Sequence, residues 1–324
     1  MKDNVTQNSS AKNRQSKKNS ANKESFSDFF NARYLATWLG LGFLWLIHIL
    51  PFPCQLYTGK VLGILAYALA KRRRLITEKN IELCFPELSP NDQKKLVIQT
   101  FIENATGLIE TSLTFWGNIE AMRYRVTFLG LEHLQTAINQ GKGIILIGAH
   151  YSNLDLGGAL FSLFSQIDIV YRPHNNLLFD LFLRRARAKW ADKVIPRNQI
   201  KEALRTLKQG HVFWFPADQD YGAHSSVFAP FFGVDAATIT TPSRLAKLSG
   251  APVLILGHHR KNDNSGYIVS TTPPLPNFPT ESLVADAGTV NAAIEKQIRK
   301  APAQYMWVHR RFKTRKEGAE KIYQ

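Results

Sequence analysis

The chain has 324 residues, 44% of them hydrophobic, and its 41 Lys and Arg against 25 Asp and Glu give a formal net charge of +16. This composition argues against global disorder, and two separate cysteines, Cys54 and Cys84, argue against a disulfide-built scaffold or a structural zinc site. The positive charge favours polyanionic partners: nucleic acid, an anionic membrane surface, phosphorylated substrates or an acidic protein.

The amino-terminal segment is polar and basic. Residues 1–25 consist mainly of Asn, Ser and Lys, with almost no apolar side chains. Such a segment cannot offset the entropy lost on ordering by burying apolar surface. We therefore predict a basic disordered tail, with its boundary at residue 33.

A strongly apolar stretch follows over residues 34–53, "YLATWLGLGFLWLIHILPFP". It carries no formal charge, it is apolar all round, and its length matches the hydrocarbon core of a bilayer. It predicts a membrane-anchoring helix; the alternative is a buried core helix. Because basic residues flank both ends, the positive-inside rule does not choose an orientation, and we favour a helix that dips into the membrane or lies obliquely in it.

From about residue 125, short β-rich runs alternate with helical segments. The β-rich runs are GIILIGA, IDIVY, HVFWFPA, PVLILGHH and YIVST. This alternation is typical of an α/β fold with a central, mostly parallel mixed sheet flanked by helices. We place this domain at residues 54–316, with helices before the sheet, and a short tail at residues 317–324.

The run "GKGIILIGAH" predicts a buried strand that ends at His150, and "SNLDLGG" begins a helix that contains Asp155. Open α/β sheets carry their sites at this carboxyl edge. A carboxylate that holds one imidazole nitrogen makes the other a general base, so we predict a His150–Asp155 catalytic pair. No G-x-S-x-G elbow supplies a nucleophile, so a substrate hydroxyl should attack an acyl group directly. The alternative is an ordinary surface histidine beside a first-turn acid.

Three further residues are candidates for substrate binding. Arg172 follows the strand IDIVY and could bind phosphate or a carbonyl oxygen, and Arg187 lies in "LRRARAKW", where guanidinium groups could bind phosphate in bidentate fashion. Asp218 ends the strand HVFWFPA and could orient an arginine or support the site. A solvated helix face is the alternative for the arginines. We predict no metal site.

The H-x4-[DE] pair and the segments "NIELCFPELS", "VYRPHNN", "ADQDYG", "SSVFAPFFG" and "APAQYMWVHRRFKTR" occur in this order. Together they closely resemble the late acyltransferases of lipid A biosynthesis, the lauroyl and myristoyl transferases, over residues 34–316. These enzymes usually carry glutamate where this chain has Asp155.

The resemblance implies a fold like that of the glycerolipid acyltransferases. It also implies a specific acyl-transfer reaction. A lauroyl or myristoyl chain would pass from acyl carrier protein to a hydroxyl on a 3-hydroxyacyl chain of a Kdo-bearing lipid A precursor. There would be no covalent intermediate and no cofactor besides the acyl-carrier co-substrate. His150 would be the base and Asp155 its partner, while Arg187 and Asp218 match family residues.

The implied partners are acyl carrier protein, the lipid A precursor and the membrane, with no nucleic acid. The implied location is the cell inner membrane, with the catalytic domain facing the cytoplasm. Two alternatives stay open: an acyltransferase acting on another glycero- or glycophospholipid, and a non-catalytic, membrane-tethered protein that binds polyanions.

Overall fold

The computed structural model describes residues 25–323, so most of the predicted disordered tail lies outside the described residues. The part of that tail that is described is ordered. Two short 3-10 helices, Phe26–Phe29 and Ala32–Tyr34, bury Phe29 and Tyr34 against the helices that follow. The folded chain therefore begins before the predicted boundary at residue 33.

Within residues 25–323, four α-helices precede the sheet. They are α1 (Leu35–His48), α2 (Phe52–Leu69), α3 (Lys71–Cys84) and α4 (Pro90–Trp116). Ser89 caps α4, as its position before Pro90 indicates, because its hydroxyl accepts from the N–H of Asp92.

The single membrane helix predicted over residues 34–53 is not formed. Helix α1 ends at His48, and Pro51 precedes a new helix, since proline lacks the N–H that a continuing helix requires. The 14 residues of α1 span about 21 Å, less than the bilayer core of about 30 Å. Within residues 25–323, no helix is both long enough and apolar enough to cross a membrane.

The rest of the chain alternates strands and helices. The strands are β1 (Val126–Leu129), β2 (Ile144–Gly148), β3 (Asp168–Tyr171), β4 (Lys193–Pro196), β5 (Val212–Pro216), β6 (Ser226–Phe231), β7 (Val234–Ile239), β8 (Val253–Arg260) and β9 (Tyr267–Thr271). The helices are α5 (Leu131–Asn139), α6 (Leu154–Ser162), α7 (Leu177–Arg187), α8 (Ile200–Lys208), α9 (Thr241–Ser249) and α10 (Leu283–Ile298).

Seven strands form one sheet in the order β1-β9-β8-β2-β5-β3-β4. Every neighbouring pair in it is parallel except β8–β9, and β6 and β7 form a separate antiparallel hairpin. The predicted α/β architecture with a mostly parallel mixed sheet is confirmed. Strand β2 is central and buried along its whole length, so the turn after it lies in the middle of the sheet's carboxyl edge.

The carboxyl-terminal segment closes over that turn. The N–H of Met306 donates to the carbonyl of His150 at 3.0 Å, and the N–H of Ser152 donates to the carbonyl of Gln304 at 2.8 Å. Helix α4 packs on the other side of the turn, where Gly107 leaves no room for a Cβ beside the carbonyl of Ser152. Backbone contacts on two sides therefore fix the turn that carries His150.

Candidate active site

His150 and Asp218 meet because the strands that carry them are neighbours in register. In the parallel pair β2–β5, Gly148 lies opposite Pro216, so each side chain follows its strand by two residues. The Nδ1 atom of His150 lies 2.6 Å from Oδ1 of Asp218, and the backbone N–H of His150 donates to Oδ2 at 2.9 Å. The carboxylate thus holds both the ring and the backbone of His150.

The carboxylate of Asp218 is 1% exposed and ionised. Burial by itself raises the pKa of Asp218, but electrostatic attraction to His150 and hydrogen bonds from His150 and Tyr305 outweigh burial and lower that pKa to about 2. An anion at Nδ1 directs a proton to that nitrogen and leaves Nε2 as the lone-pair acceptor. The imidazole is therefore set up as a general base.

The predicted partner of His150 is wrong: Asp155 does not hydrogen-bond to the ring. Its Oδ1 accepts from Nε of Arg187 at 2.6 Å and its Oδ2 accepts from Nη2 at 3.2 Å. Helix α7 brings Arg187 opposite the first turn of α6, and a guanidinium fork matches both oxygens of a carboxylate. Asp155 therefore holds an arginine, and Asp218, predicted to bind substrate, holds the histidine.

An apolar groove begins at His150 and has a volume of about 570 Å³. Arg187 lines it, and Arg172 lies exposed at its wall. Strands and the helices beside them supply its apolar lining. These residues are Leu154, Val170, Leu183, Ile195, Ile200, Ala203, Phe213, Phe215, Ile239 and Leu245. The groove has the size and chemistry to hold an extended hydrocarbon chain whose end reaches the imidazole.

A second, polar cavity of about 170 Å³ lies on the Asp218 side of the pair. Gln219 lines both this cavity and the apolar groove, and the groove reaches His150 while the cavity reaches Asp218. His309 lines the polar cavity, with its ring centroid 6.2 Å from that of His150. Burial, then repulsion from His150 and Arg73, lowers the pKa of His309, so its ring is neutral near pH 7.

The sequence did not single out Tyr305, His309 or Gln219. The available signals were weak: Gln219 lies between two acidic residues, and the other two lie in the segment "QYMWVHRR" far from His150 in the chain. Only the fold brings that segment over the turn after β2.

One cluster within residues 25–323 could hold a metal ion, formed by Asp168, Asp192 and His211, whose ligand atoms lie within 4.8 Å of one another. It lies at the amino ends of β3 and β5, at the sheet edge opposite His150. His211 and Asp168 already pair there, with Nδ1 3.0 Å from Oδ2. This cluster is therefore separate from the candidate site.

Comparison with known proteins gives the same family throughout. The family described as bacterial lipid A biosynthesis acyltransferase matches residues 23–314. The chain is 39% identical over 297 residues to the lipid A biosynthesis palmitoleoyltransferase of Escherichia coli K12, covering 91% of this chain and 97% of that protein. It is 40% identical over 293 residues to the lauroyltransferase of the same organism, with 90% and 95% coverage, and 26% identical over 305 residues to its myristoyltransferase, with 91% and 92% coverage.

Proposed function

The chain belongs to the bacterial lipid A biosynthesis acyltransferase family, and on that premise we propose the reaction that it catalyses. A fatty acyl chain passes from the thioester of acyl carrier protein to the hydroxyl of a 3-hydroxyacyl chain on a Kdo-bearing lipid A precursor. The observation that carries this proposal is the ionised, buried Asp218 that holds His150 at the end of an apolar groove.

The chemistry needs one proton acceptor, and His150 supplies it. Nε2 removes the proton of the attacking hydroxyl, its oxygen bonds to the thioester carbonyl carbon, and the C–S bond of the resulting tetrahedral intermediate breaks. The imidazolium, stabilised by Asp218, returns the proton to the leaving thiolate. No residue is acylated and no cofactor takes part. Base catalysis of this kind contributes about 10²–10⁴-fold to a rate.

We assign Arg172 and Arg187 to the acceptor. Arg187 is held rigidly by the two hydrogen bonds that it donates to Asp155, and Arg172 is exposed at the wall of the same groove. Guanidinium groups bind phosphate in a fixed, bidentate geometry, and the precursor is phosphorylated. In this proposal Asp155 acts through Arg187 and does not act on His150.

The direct test is a transfer assay with purified protein, acyl carrier protein loaded with lauroyl, myristoyl or palmitoleoyl chains, and a Kdo-bearing lipid A precursor. Mass spectrometry should show the precursor gaining the mass of one fatty acid less water. A precursor of unchanged mass with every donor would contradict the proposed function. Glycerol 3-phosphate as acceptor is the control, and its acylation would favour the alternative lipid acceptor.

The size of the apolar groove should determine which acyl-chain lengths the protein accepts. Ala203 lies on α8, is buried, and lines the groove together with Phe213 and Leu245. We predict that Ala203→Leu, which fills part of that space, lowers kcat/KM for the longest accepted chain about tenfold relative to a shorter one. Ala203→Ser keeps the volume and should keep the preference. Competition between acyl donors in one reaction measures both, and an unchanged preference in Ala203→Leu would exclude this part of the groove.

We propose that helices α1 and α2 attach the protein to the inner membrane, with the catalytic domain facing the cytoplasm. Both helices expose large apolar side chains, among them Leu39, Leu46 and Leu65 at 66%, 53% and 51%. Exposed apolar surface of this extent is typical of an interaction face, and an amphipathic attachment needs no crossing helix.

Replacing Leu46 and Leu65 with aspartate should weaken binding to anionic phospholipid vesicles by roughly tenfold or more, because apolar contact is lost and charge is added. Leu248→Asp is the matched control, since Leu248 is 61% exposed on α9, outside this face. Cosedimentation measures the bound fraction. Equal binding of the double variant and the control would show that the two helices do not carry the attachment.

A further inference from the structure

Two spaces of different character adjoin the His150–Asp218 pair. The groove is mainly apolar and reaches His150, the polar cavity carries charged and amide side chains beside Met306 and Trp307 and reaches Asp218, and Gln219 lines both. A thioester donor has the same division, because an apolar chain and a polar carrier arm join at the reacting carbonyl. The geometry therefore gives each half of such a donor its own side of the imidazole.

The polar cavity presents donors and positive charge to a ligand. Its two carboxylates are already engaged: Asp218 holds His150, and Asp220 accepts from the N–H and Oγ1 of Thr314 at 2.6 and 2.8 Å. The other polar side chains that line it include the amides of Asn80 and Gln219, the hydroxyl of Tyr305, the neutral ring of His309 and the cations Arg310, Arg311 and Lys313. These groups suit the amides and the phosphodiester of a pantetheine arm.

Three cations lie at or beside this cavity, and we call them the cationic rim: Arg310 and Lys313 line the cavity, and Arg73 lies next to its lining. Arg73 belongs to it because its Nη1 donates to the carbonyl of Val308 at 3.1 Å, and the buried amide of Asn80 fixes α3 to the carbonyls of residues 307 and 309. Arg310 lies over the ring of Tyr323. Arg73 and Lys313 are exposed and have no carboxylate partner within residues 25–323.

We propose that the polar cavity admits the pantetheine arm of the donor and that the cationic rim binds the acidic face of its carrier protein. This inference rests on the proposed function and adds the side from which the donor approaches. The arm enters past Arg310 and Lys313, the thioester lies between Gln219 and His150, and the acyl chain continues into the groove. The acceptor hydroxyl then reaches His150 from the groove side, near Arg187.

The test compares two donors that carry the same acyl chain, one on acyl carrier protein and one on pantetheine alone. Arg73→Glu and Lys313→Glu reverse charge at the rim without touching His150 or Asp218. Each should raise KM for the carrier-bound donor roughly tenfold and weaken its dependence on salt, since exposed charges mainly steer association. KM for acyl-pantetheine should stay within about twofold of wild type in Arg73→Glu, because Arg73 does not line the cavity, and KM for the lipid acceptor should stay within about twofold in both variants.

Lys142→Glu is the matched control, because Lys142 is exposed in the turn before β2, at the opposite edge of the sheet. Three outcomes would overturn the inference: an unchanged KM for the carrier-bound donor, a raised KM for the lipid acceptor, or loss of vesicle binding in the rim variants. The second would assign the rim to the acceptor and the third to the membrane. If wild-type protein transfers no acyl chain from either donor, the proposed function fails instead.

Discussion

His150→Ala is expected to lower kcat for acyl transfer by about 10²–10⁴-fold, because it removes the imidazole that accepts the hydroxyl proton at the end of the groove. The fold should persist, since the ring of His150 is partly exposed and the backbone N–H at this position still donates to Asp218. Circular dichroism and thermal unfolding check that point, and single-turnover rates measure the chemical step.

His133→Ala is the control for this variant, because His133 is an exposed histidine on α5, far from the site, and should keep full activity. His150→Gln tests the chemistry further: it can hydrogen-bond to Asp218, yet it has no basic nitrogen. Turnover near the wild-type rate in either His150 variant would remove the imidazole from the mechanism.

Asp218→Asn is expected to lower kcat by roughly 10³–10⁴-fold, because a neutral amide fixes neither the Nδ1–H tautomer nor the imidazolium. Asp155→Asn should act differently. It weakens the bidentate support of Arg187, so we expect a raised KM for the lipid acceptor and a smaller loss of kcat. A larger loss of kcat in Asp155→Asn than in Asp218→Asn would favour the pairing that the sequence predicted.

The pH dependence of the free energy of unfolding gives a second test of Asp218, and its direction follows from the pKa shift. Its pKa of about 2 in the folded protein lies below the ordinary value of 3.8, so the ionised carboxylate stabilises the fold above about pH 4. That contribution is lost as the pH falls from about 4 towards 2. Urea unfolding should show a difference between wild type and Asp218→Asn that shrinks over this range.

The sequence could single out His150 because the signal is local: an apolar run, a turn and the start of a helix follow one another in the chain. The partner of His150 is set by a different rule. Asp218 is 68 positions away, and only the register of β2 against β5 brings it to the ring. Asp155 was the nearest acid in the sequence, but Arg187, on the neighbouring helix α7, takes up both of its oxygens.

The amino-terminal helices show the same limit. Hydropathy over residues 34–53 suggested one continuous element, yet Pro51 divides the stretch, and Leu41, Leu44 and Ile47 pack into the domain while their neighbours stay exposed. Hydropathy over a stretch of sequence reports how long and how apolar that stretch is. Which of its side chains become buried depends on the helices that pack against it.

The proposed mechanism depends on the hydrogen bond between Nδ1 of His150 and Asp218, and nuclear magnetic resonance of the ring protons detects that bond. We expect a strongly deshielded Nδ1 proton, assigned to His150 by its loss in His150→Gln, which disappears in Asp218→Asn and persists in Asp155→Asn. Persistence of that proton in Asp218→Asn, with its loss in Asp155→Asn, would contradict the proposed mechanism.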